Sequence, residues 1–225
     1  MPEAAANGTL KNRVYHELRR AIIMGHHAPG EKIDVRQVAQ EYGTSITPIR
    51  EALQMLNQEG LVTIRAHSGY RITQLTLKQL RDLLDVREIL ELAAVERAAH
   101  RITPEQLAEL EGVSAGYTGD DDEAYTRYTA ENRTFHTLIA RATGNQELTV
   151  MLGHLHDRLA RFMVLRHAGE SMQHSHARII EALSAGDVVA ARQAMYDELA
   201  ETRQILLDRV IQDQGDTWHL RQQRA

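Results

Sequence analysis

The sequence predicts a mainly α-helical protein, in which an N-terminal winged helix-turn-helix (three helices plus a β-hairpin) is followed by an all-α helical-bundle domain. Three observations favour this fold class. Apolar residues recur at steps of three and four along most of the 225 residues. The alternation typical of a β-hairpin occurs in one place only, near residue 67. Aromatic residues make up 4% of the chain, and β-branched runs are scarce.

Three helical patterns precede the hairpin. The first covers residues 10–24 and ends before a Pro-Gly turn signal. The second covers residues 35–42, and Gly43 is placed to end it in the left-handed conformation. The third covers residues 48–59, with Thr47 as its N-cap and a proline at the first helical position, where the missing N–H costs nothing. Together they predict a helix-turn-helix.

The segments after the third helix complete the predicted organisation. Residues 61–65 and 70–73 alternate and predict the hairpin of the wing. No strand is evident after residue 75, and helical patterns cover residues 77–100, 104–113, 121–143, 146–166, 171–185 and 188–212. We therefore expect a flexible N-terminus at 1–8, the winged helix-turn-helix at 9–75, the helical domain at 76–213 and a polar tail at 214–225.

Composition excludes several classes of protein. The chain has no cysteine, which rules out a disulfide scaffold, a thiol nucleophile and a Cys-ligated metal. No stretch approaches the ~18 apolar residues of a membrane span, and the N-terminus lacks a signal-peptide core, so we expect a cytoplasmic protein without a membrane partner. The net charge is -5, but residues 1–75 carry 9 Lys and Arg against 7 Asp and Glu. This distribution favours a polyanion contact at the N-terminal end.

The third helix carries residue types that contact duplex DNA. In a helix-turn-helix its N-terminal end enters the major groove. Arg50 can bind guanine bidentately or bind a phosphate, and nearby hydroxyl groups can donate to phosphates. The alternative is that Arg50 pairs with Glu51 or Glu59. The predicted DNA-binding residues are Arg36 on the second helix, Ser45, Thr47 and Arg50 at the third, and His67 and Gly69 at the hairpin tip.

A longer motif runs through the same segment. It consists of Ser45-Ile46-Thr47-Pro48-Ile49-Arg50-Glu51-Ala52-Leu53, then Glu59-Gly60-Leu61-Val62, with Pro29-Gly30-Glu31-Lys32-Ile33 upstream. Over about residues 9–74 this pattern resembles the winged-helix domain of GntR-type regulators, which implies sequence-specific DNA binding. One departure is Ile46, because many relatives carry arginine there. The change removes a phosphate or base contact.

Two histidines are the most informative residues of the helical domain. Asn132 lies four residues before His136 and therefore on the same helical face. His176 begins the segment His176-Ala177-Arg178-Ile179-Ile180-Glu181-Ala182, and Glu198 lies on the following helix. Neutral imidazoles with oxygen donors suit zinc, nickel, manganese or iron. The alternative is that His136 and His176 are hydrogen-bonded pocket residues without a metal.

These residues form part of a second family pattern. Together with Thr143-Gly144-Asn145 and Gly186-Asp187, they resemble the FCD effector-binding domain of the FadR-like branch of GntR regulators. Many such domains hold a divalent metal through an aspartate and three histidines, with a carboxylate effector at or beside the metal. Carried over by position, the resemblance implies four ligands, of which Asn132 replaces the usual aspartate and Glu198 the usual third histidine. The implied set is Asn132, His136, His176 and Glu198.

Arg87 allows two interpretations. It is placed to form an i,i+4 pair with Glu91 on a solvated helix face. It is equally suited to bind an effector carboxylate, since a guanidinium binds a carboxylate bidentately. The family resemblance makes effector binding as good an interpretation as the ion pair, and both stay open.

The function predicted from these features is transcriptional regulation. We expect a repressor that binds a palindromic operator as a homodimer and responds to a small carboxylate metabolite. One alternative is an all-α metal-dependent hydrolase with Glu198 or Glu131 as general base. Another is a constitutive DNA-binding protein whose helical domain only dimerises. The DNA-binding head disfavours the hydrolase, and the sequence contains no H-E-x-x-H motif.

Overall fold

The computed structural model describes residues 2–65, 69–113, 122–160, 162 and 169–222. The chain divides into two compact units. The first comprises Met1–Leu75 with His156–Val164, and the second comprises Thr76–Leu155 with Leu165–Ala225. The described residues are mostly helical and include a small sheet in the first unit, which confirms the predicted fold class.

The first unit is a winged helix-turn-helix. Its helices bury apolar residues against one another, because α1 and α2 both pack on α3. Val14, Ile49, Leu53 and Leu56 are fully buried in this core, together with residues of the sheet. The elements in chain order are α1 (Pro2–Ile23), β1 (Lys32–Ile33), α2 (Val35–Glu41), α3 (Ile46–Gln58), β2 (Val62–Arg65) and β3 (Gly69–Ile72).

The wing contains one strand that the sequence pattern does not reveal. β3 pairs antiparallel with β2, as the hairpin prediction requires, and on its other side with β1. The register of the second pair places Lys32 opposite Arg71 and Ile33 opposite Tyr70. Two residues are too few to show alternation, so a strand of this length has no periodic signal. The sheet therefore has the order β1-β3-β2 rather than that of an isolated hairpin.

The start of α3 also differs from its prediction. The helix begins at Ile46 with Ser45 as N-cap, so the assignment of Thr47 to the cap is wrong. Pro48 then occupies the third helical position. That position tolerates proline as well as the first does, because the first four N–H groups of a helix have no intrahelical acceptor. Thr47 consequently lies inside the first turn.

The second unit is a bundle of helices around α4. This helix packs against α6, α8 and α9, and α8 packs against α9. None of the described helices is both long enough and apolar enough to cross a membrane. The elements in chain order are α4 (Leu77–Ala99), α5 (Pro104–Val113), α6 (Asp122–Ala142), α7 (Gln146–Leu159), α8 (Gly169–Ser184) and α9 (Val188–Gln222).

The remaining differences between the predicted and the observed elements are at the ends of helices. α7 ends at Leu159, and the N–H groups of Ala160 and Phe162 bond to carbonyls three residues back; most of the predicted continuation to residue 166 lies outside the described residues. α1 begins at Pro2 and thus includes residues 2–8, whose predicted flexibility stays a prediction. α9 extends to Gln222 and takes in most of the predicted tail. Alanine near the N-terminus, and glutamine and arginine near the C-terminus, are good helix formers without an apolar stripe.

Candidate functional site

The N-terminal end of α3 presents polar side chains on its exposed face. Ile49, Leu53 and Leu56 are buried on the opposite face. Ser45, Thr47 and Arg50 are all exposed. Among the described residues, the Ser45 side chain makes no capping hydrogen bond, so its hydroxyl is not committed to the helix. The three side chains at this end can therefore donate to an external anion.

Arg50 does not form the ion pairs considered as its alternative role. In the described part of the chain it has no salt bridge with Glu51 or Glu59. The Glu59 carboxylate instead accepts hydrogen bonds from Arg19 Nε at 2.8 Å and from the Tyr15 hydroxyl. Burial and this carboxylate raise the pKa of Tyr15 to about 12. The Arg50 guanidinium is consequently left at the surface.

The other predicted DNA-binding residues occupy α2 and the wing. Arg36 is exposed near the start of α2, whose N-cap Asp34 accepts hydrogen bonds from the backbone N–H groups of Arg36 and Gln37. Gly69 begins β3 opposite Arg65 and has a φ of +75°, a conformation that favours glycine. His67 lies outside the described residues.

The second unit contains a buried polar cluster, here defined as six side chains contributed by four helices. Each is at most 6% exposed, and two of the charged ones, Arg87 and Glu91, are 2% and 0% exposed. The interpretation of these two residues as a solvated i,i+4 pair is therefore wrong. Buried charges require partners, so the packing of the cluster depends on its internal pairing. Its members are Arg87 and Glu91 on α4, Asn132 and His136 on α6, His176 on α8 and Glu198 on α9.

His136 lies at the centre of the cluster. Its Nδ1 is 3.2 Å from Glu91 Oε1, and its Nε2 is 3.6 Å from Glu198 Oε1. Arg87 Nη2 is 3.2 Å from the same Nε2 and 3.5 Å from Glu198 Oε1. Burial would lower the pKa of His136, but the carboxylates of Glu91 and Glu198 outweigh burial and raise the pKa to about 9. The surroundings of Nε2 thus favour a cation at this nitrogen.

The ring of His176 is held in a different environment. It stacks on Phe135 with ring centroids 3.8 Å apart and an interplanar angle of 8°. Burial lowers the pKa of His176 to about 4. The imidazole is therefore neutral at physiological pH, which is the form that ligates metals.

Three unpaired atoms of the cluster belong to ligands that the family resemblance implies. Within the described residues, Asn132 Oδ1, His176 Nε2 and Glu198 Oε2 are buried without a hydrogen-bond partner. One ligand atom from each of His136, His176 and Glu198 lies within 4.8 Å of the others. A buried unsatisfied group costs about 1–3 kcal/mol, so unsatisfied atoms on His176 and Glu198, which both belong to this set of three, indicate a missing partner. Nitrogen and oxygen donors in this arrangement fit a divalent metal.

Two residues near these ligands were missed in the sequence. Glu91 lies against His136, and burial together with Glu198 raises the pKa of Tyr128, so that its phenol stays neutral. Tyr128 is four residues before Asn132 and eight before His136, a spacing that places all three on one helical face. Glu91 interrupts the buried apolar positions of α4, which include Leu84 and Val95 at matching helical spacing. Both signals are visible in the sequence once the helices are assigned.

A winged helix-turn-helix followed by a helical domain with a buried ligand cluster is the architecture of a DNA-binding regulator. Comparison with known families agrees with this class. Residues 10–72 match the gntR family of bacterial regulatory proteins, and residues 82–201 match the FCD domain. The chain therefore belongs to the GntR family of transcriptional regulators with an FCD domain, a family of regulators rather than enzymes.

Individual relatives support the same assignment. The HTH-type transcriptional regulator YdhC of Bacillus subtilis is 31% identical over 80% of this chain and 83% of its own length. The HTH-type transcriptional repressor GlaR of Escherichia coli is 28% identical over 82% of this chain and 90% of its own. The solved structure of Escherichia coli McbR/YncC has a TM-score of 0.73 and 24% identity, and covers 89% of this chain and 98% of that one. FCD domains can bind a metal, and this one has the histidines and carboxylates for it.

Proposed function

We propose that this protein is a cytoplasmic, homodimeric repressor that binds a palindromic operator and is controlled by a small carboxylate metabolite. Residues 9–75 bind DNA, and residues 76–213 bind the effector and dimerise. A symmetric dimer matches a palindrome because each protomer meets one half-site. The sign of regulation is supported by GlaR, which is named a repressor.

The operator contact rests on the exposed face of α3. Arg50 binds a guanine edge or a phosphate, while Ser45 and Thr47 donate to phosphates near the helix N-terminus. Arg36 adds a phosphate contact from α2, and the wing contributes His67 and Gly69. The exposure of Arg50 without an internal ion pair in the described residues supports this role, because the guanidinium is available to an external anion.

The effector site is the buried cluster. Asn132, His136, His176 and Glu198 would hold a divalent metal such as zinc, nickel, manganese or iron, and Arg87 would bind the effector carboxylate. The observation that carries this proposal is that three of these four ligands have buried atoms without a partner among the described residues. A bound metal would act as a Lewis acid toward an effector carboxylate. Glu91 Oε1 lies 3.2 Å from His136 Nδ1, which places the carboxylate beside that nitrogen and leaves Nε2 as the ligand atom.

Control of DNA binding requires that the effector distinguish two states of the protein. An effector that binds the DNA-competent and DNA-incompetent states with equal affinity does not shift the equilibrium between them. Because the cluster joins α4, α6, α8 and α9, a ligand in it contacts most of the bundle at once. Its binding can therefore favour one helix arrangement over another.

The site does not favour hydrolysis. Burial would raise the pKa of Glu198, but His136 and Arg87 outweigh burial and lower the pKa to about 2. Such a carboxylate is a poor general base near neutral pH. Glu131, the other base considered, is not part of the buried cluster.

The first experiment measures metal content in protein purified without an affinity tag or chelator, by elemental mass spectrometry. We expect about one metal per chain in the wild type and none in the double variant His136→Ala/His176→Ala. The matched control His26→Ala/His100→Ala removes two exposed imidazoles and should keep the metal. Stoichiometric metal in the His136/His176 variant would refute the ligand assignment. No metal in the wild type, even after reconstitution, would leave Arg87 and the histidines to bind the effector directly.

A further inference from the structure

Arg87 contacts two of the residues that would hold a metal in the cluster. A guanidinium has only donors, so in the neutral form of His136, which is the form that ligates a metal, the 3.2 Å contact is a hydrogen bond from Nη2–H to the Nε2 lone pair. Arg87 Nη2 also contacts Glu198 Oε1 at 3.5 Å. One guanidinium nitrogen thus binds two of the four proposed metal ligands, and it uses the lone pair through which His136 would ligate the metal.

The charges of the cluster explain why the Arg87 guanidinium contacts these residues. Glu91 and Glu198 are at most 1% exposed, and buried carboxylates are unstable without a nearby cation. Arg87 is the cluster member with a permanent positive charge, and its Nε is also 3.7 Å from Glu91 Oε1. In the absence of a metal, the guanidinium therefore supplies the permanent part of the positive charge that both carboxylates require.

The guanidinium is held only loosely in this position. Its contacts with the cluster measure between 3.2 and 3.7 Å, longer than the 2.7–2.9 Å typical of charge-assisted hydrogen bonds. Its Nη1 is buried without a hydrogen-bond partner in the described part of the chain. A group bonded in this way can leave its position when another cation replaces its charge, and an unpaired N–H group is ready for an incoming acceptor.

We propose that Arg87 acts as a tethered cation that occupies the metal position when no metal is bound. Metal binding displaces the guanidinium from His136 and Glu198, and the displaced guanidinium binds the effector carboxylate. This inference rests on the metal site proposed above and adds that Arg87 and the metal compete for the same ligand atoms. Arg87 therefore weakens metal binding by the free protein, and an effector that captures the guanidinium strengthens it.

The test measures the affinity for zinc alone, by competition with a chromophoric chelator, in the wild type and in Arg87→Met. Methionine keeps an unbranched side chain but removes the competing cation. We expect Arg87→Met to bind zinc about tenfold more tightly or better, and to gain more thermal stability on zinc addition. The matched control is Arg97→Met on the same helix, where the arginine is exposed and donates to the Ala93 carbonyl. It should bind zinc as the wild type does.

The outcomes separate this inference from the proposed function. Equal or weaker zinc binding by Arg87→Met, with binding by the wild type, overturns the competition and leaves the metal site intact. Absence of zinc binding in both proteins overturns the metal site and the competition together. If Arg87→Met does not fold, as judged by circular dichroism, Arg87→Lys replaces it. Its shorter chain loses the reach to His136, so we expect the same direction with a smaller factor, and an unchanged affinity refutes the inference.

Discussion

Arg50 in the first unit and Arg87 in the second carry the same functional group in opposite environments. Arg50 is exposed beside other exposed polar residues, whereas Arg87 is 2% exposed among buried carboxylates and imidazoles. The difference follows the size of the ligand proposed for each unit. Duplex DNA cannot enter a protein core, so the groups that contact it stay at the surface. A small carboxylate can be enclosed, so its binding groups replace part of the core.

The two arrangements couple function to stability differently. The core of the first unit is apolar, and the proposed DNA-binding residues do not belong to it. The proposed ligands of the second unit are themselves core residues, at most 6% exposed. We therefore expect substitutions at the first site to change binding alone, and substitutions at the second site to change folding as well.

The largest effect is expected from a substitution that disrupts the buried charge pairing of the second unit. Glu91→Gln keeps the shape of the side chain but leaves the positive charge of Arg87 with one carboxylate fewer. We expect a loss of about 3–5 kcal/mol in the free energy of unfolding, because a buried charge loses a partner. Urea denaturation followed by circular dichroism measures it. The control Glu96→Gln removes an exposed partner of Arg192 and should cost less than about 1 kcal/mol. Similar losses of unfolding free energy in Glu91→Gln and Glu96→Gln would contradict the proposal that the buried pairing stabilises the second unit.

An intermediate effect is expected at the exposed site. Arg50→Ala should weaken operator binding by about 1–3 kcal/mol if the guanidinium contacts a base. The free energy of unfolding should change by less than about 0.5 kcal/mol, because the side chain is exposed and makes no ion pair in the described part of the chain.

Fluorescence anisotropy with operator DNA tests Arg50→Ala. Arg13→Ala is the control, since it removes the same charge from an exposed position of α1 outside the proposed DNA surface. Operator affinity that is unchanged in Arg50→Ala and reduced in the control would remove Arg50 from the site.

The smallest effect is expected from a substitution of Ile46, the first residue of α3, and it tests whether this position contacts DNA. Ile46 is 36% exposed at the end of the helix that faces DNA in this motif. Ile46→Arg introduces a cationic side chain at this position and should add about one phosphate contact. The slope of log affinity against log salt concentration should then become steeper by about one. A slope identical to that of the wild type would show that this position does not reach a phosphate.

Local patterns predict the helices well and the tertiary contacts only in part. The spacing of Asn132 and His136 is enough by itself to place them on one face of α6. Nothing local shows that α4 packs against α6 and α9, so Glu91 could not be assigned to the His136 site from the sequence. The N-cap of α3 was missed for a different reason. Proline is tolerated throughout the first helical turn, and Pro48 therefore does not fix the first residue of the helix.

β1 has a consequence for how the first unit meets DNA. It holds β3 from the side opposite β2, and Arg71 Nη1 donates to the Gly30 carbonyl at 2.9 Å directly before it. The strands of the wing are thereby joined to the segment that leads into α2, so the wing is held in a fixed position relative to the helices of the first unit. Because the spacing between wing and helices is fixed, the unit fits best on a duplex whose groove has a matching width. We expect operators to be selected by groove width and by the ease of local bending, as well as by their base edges.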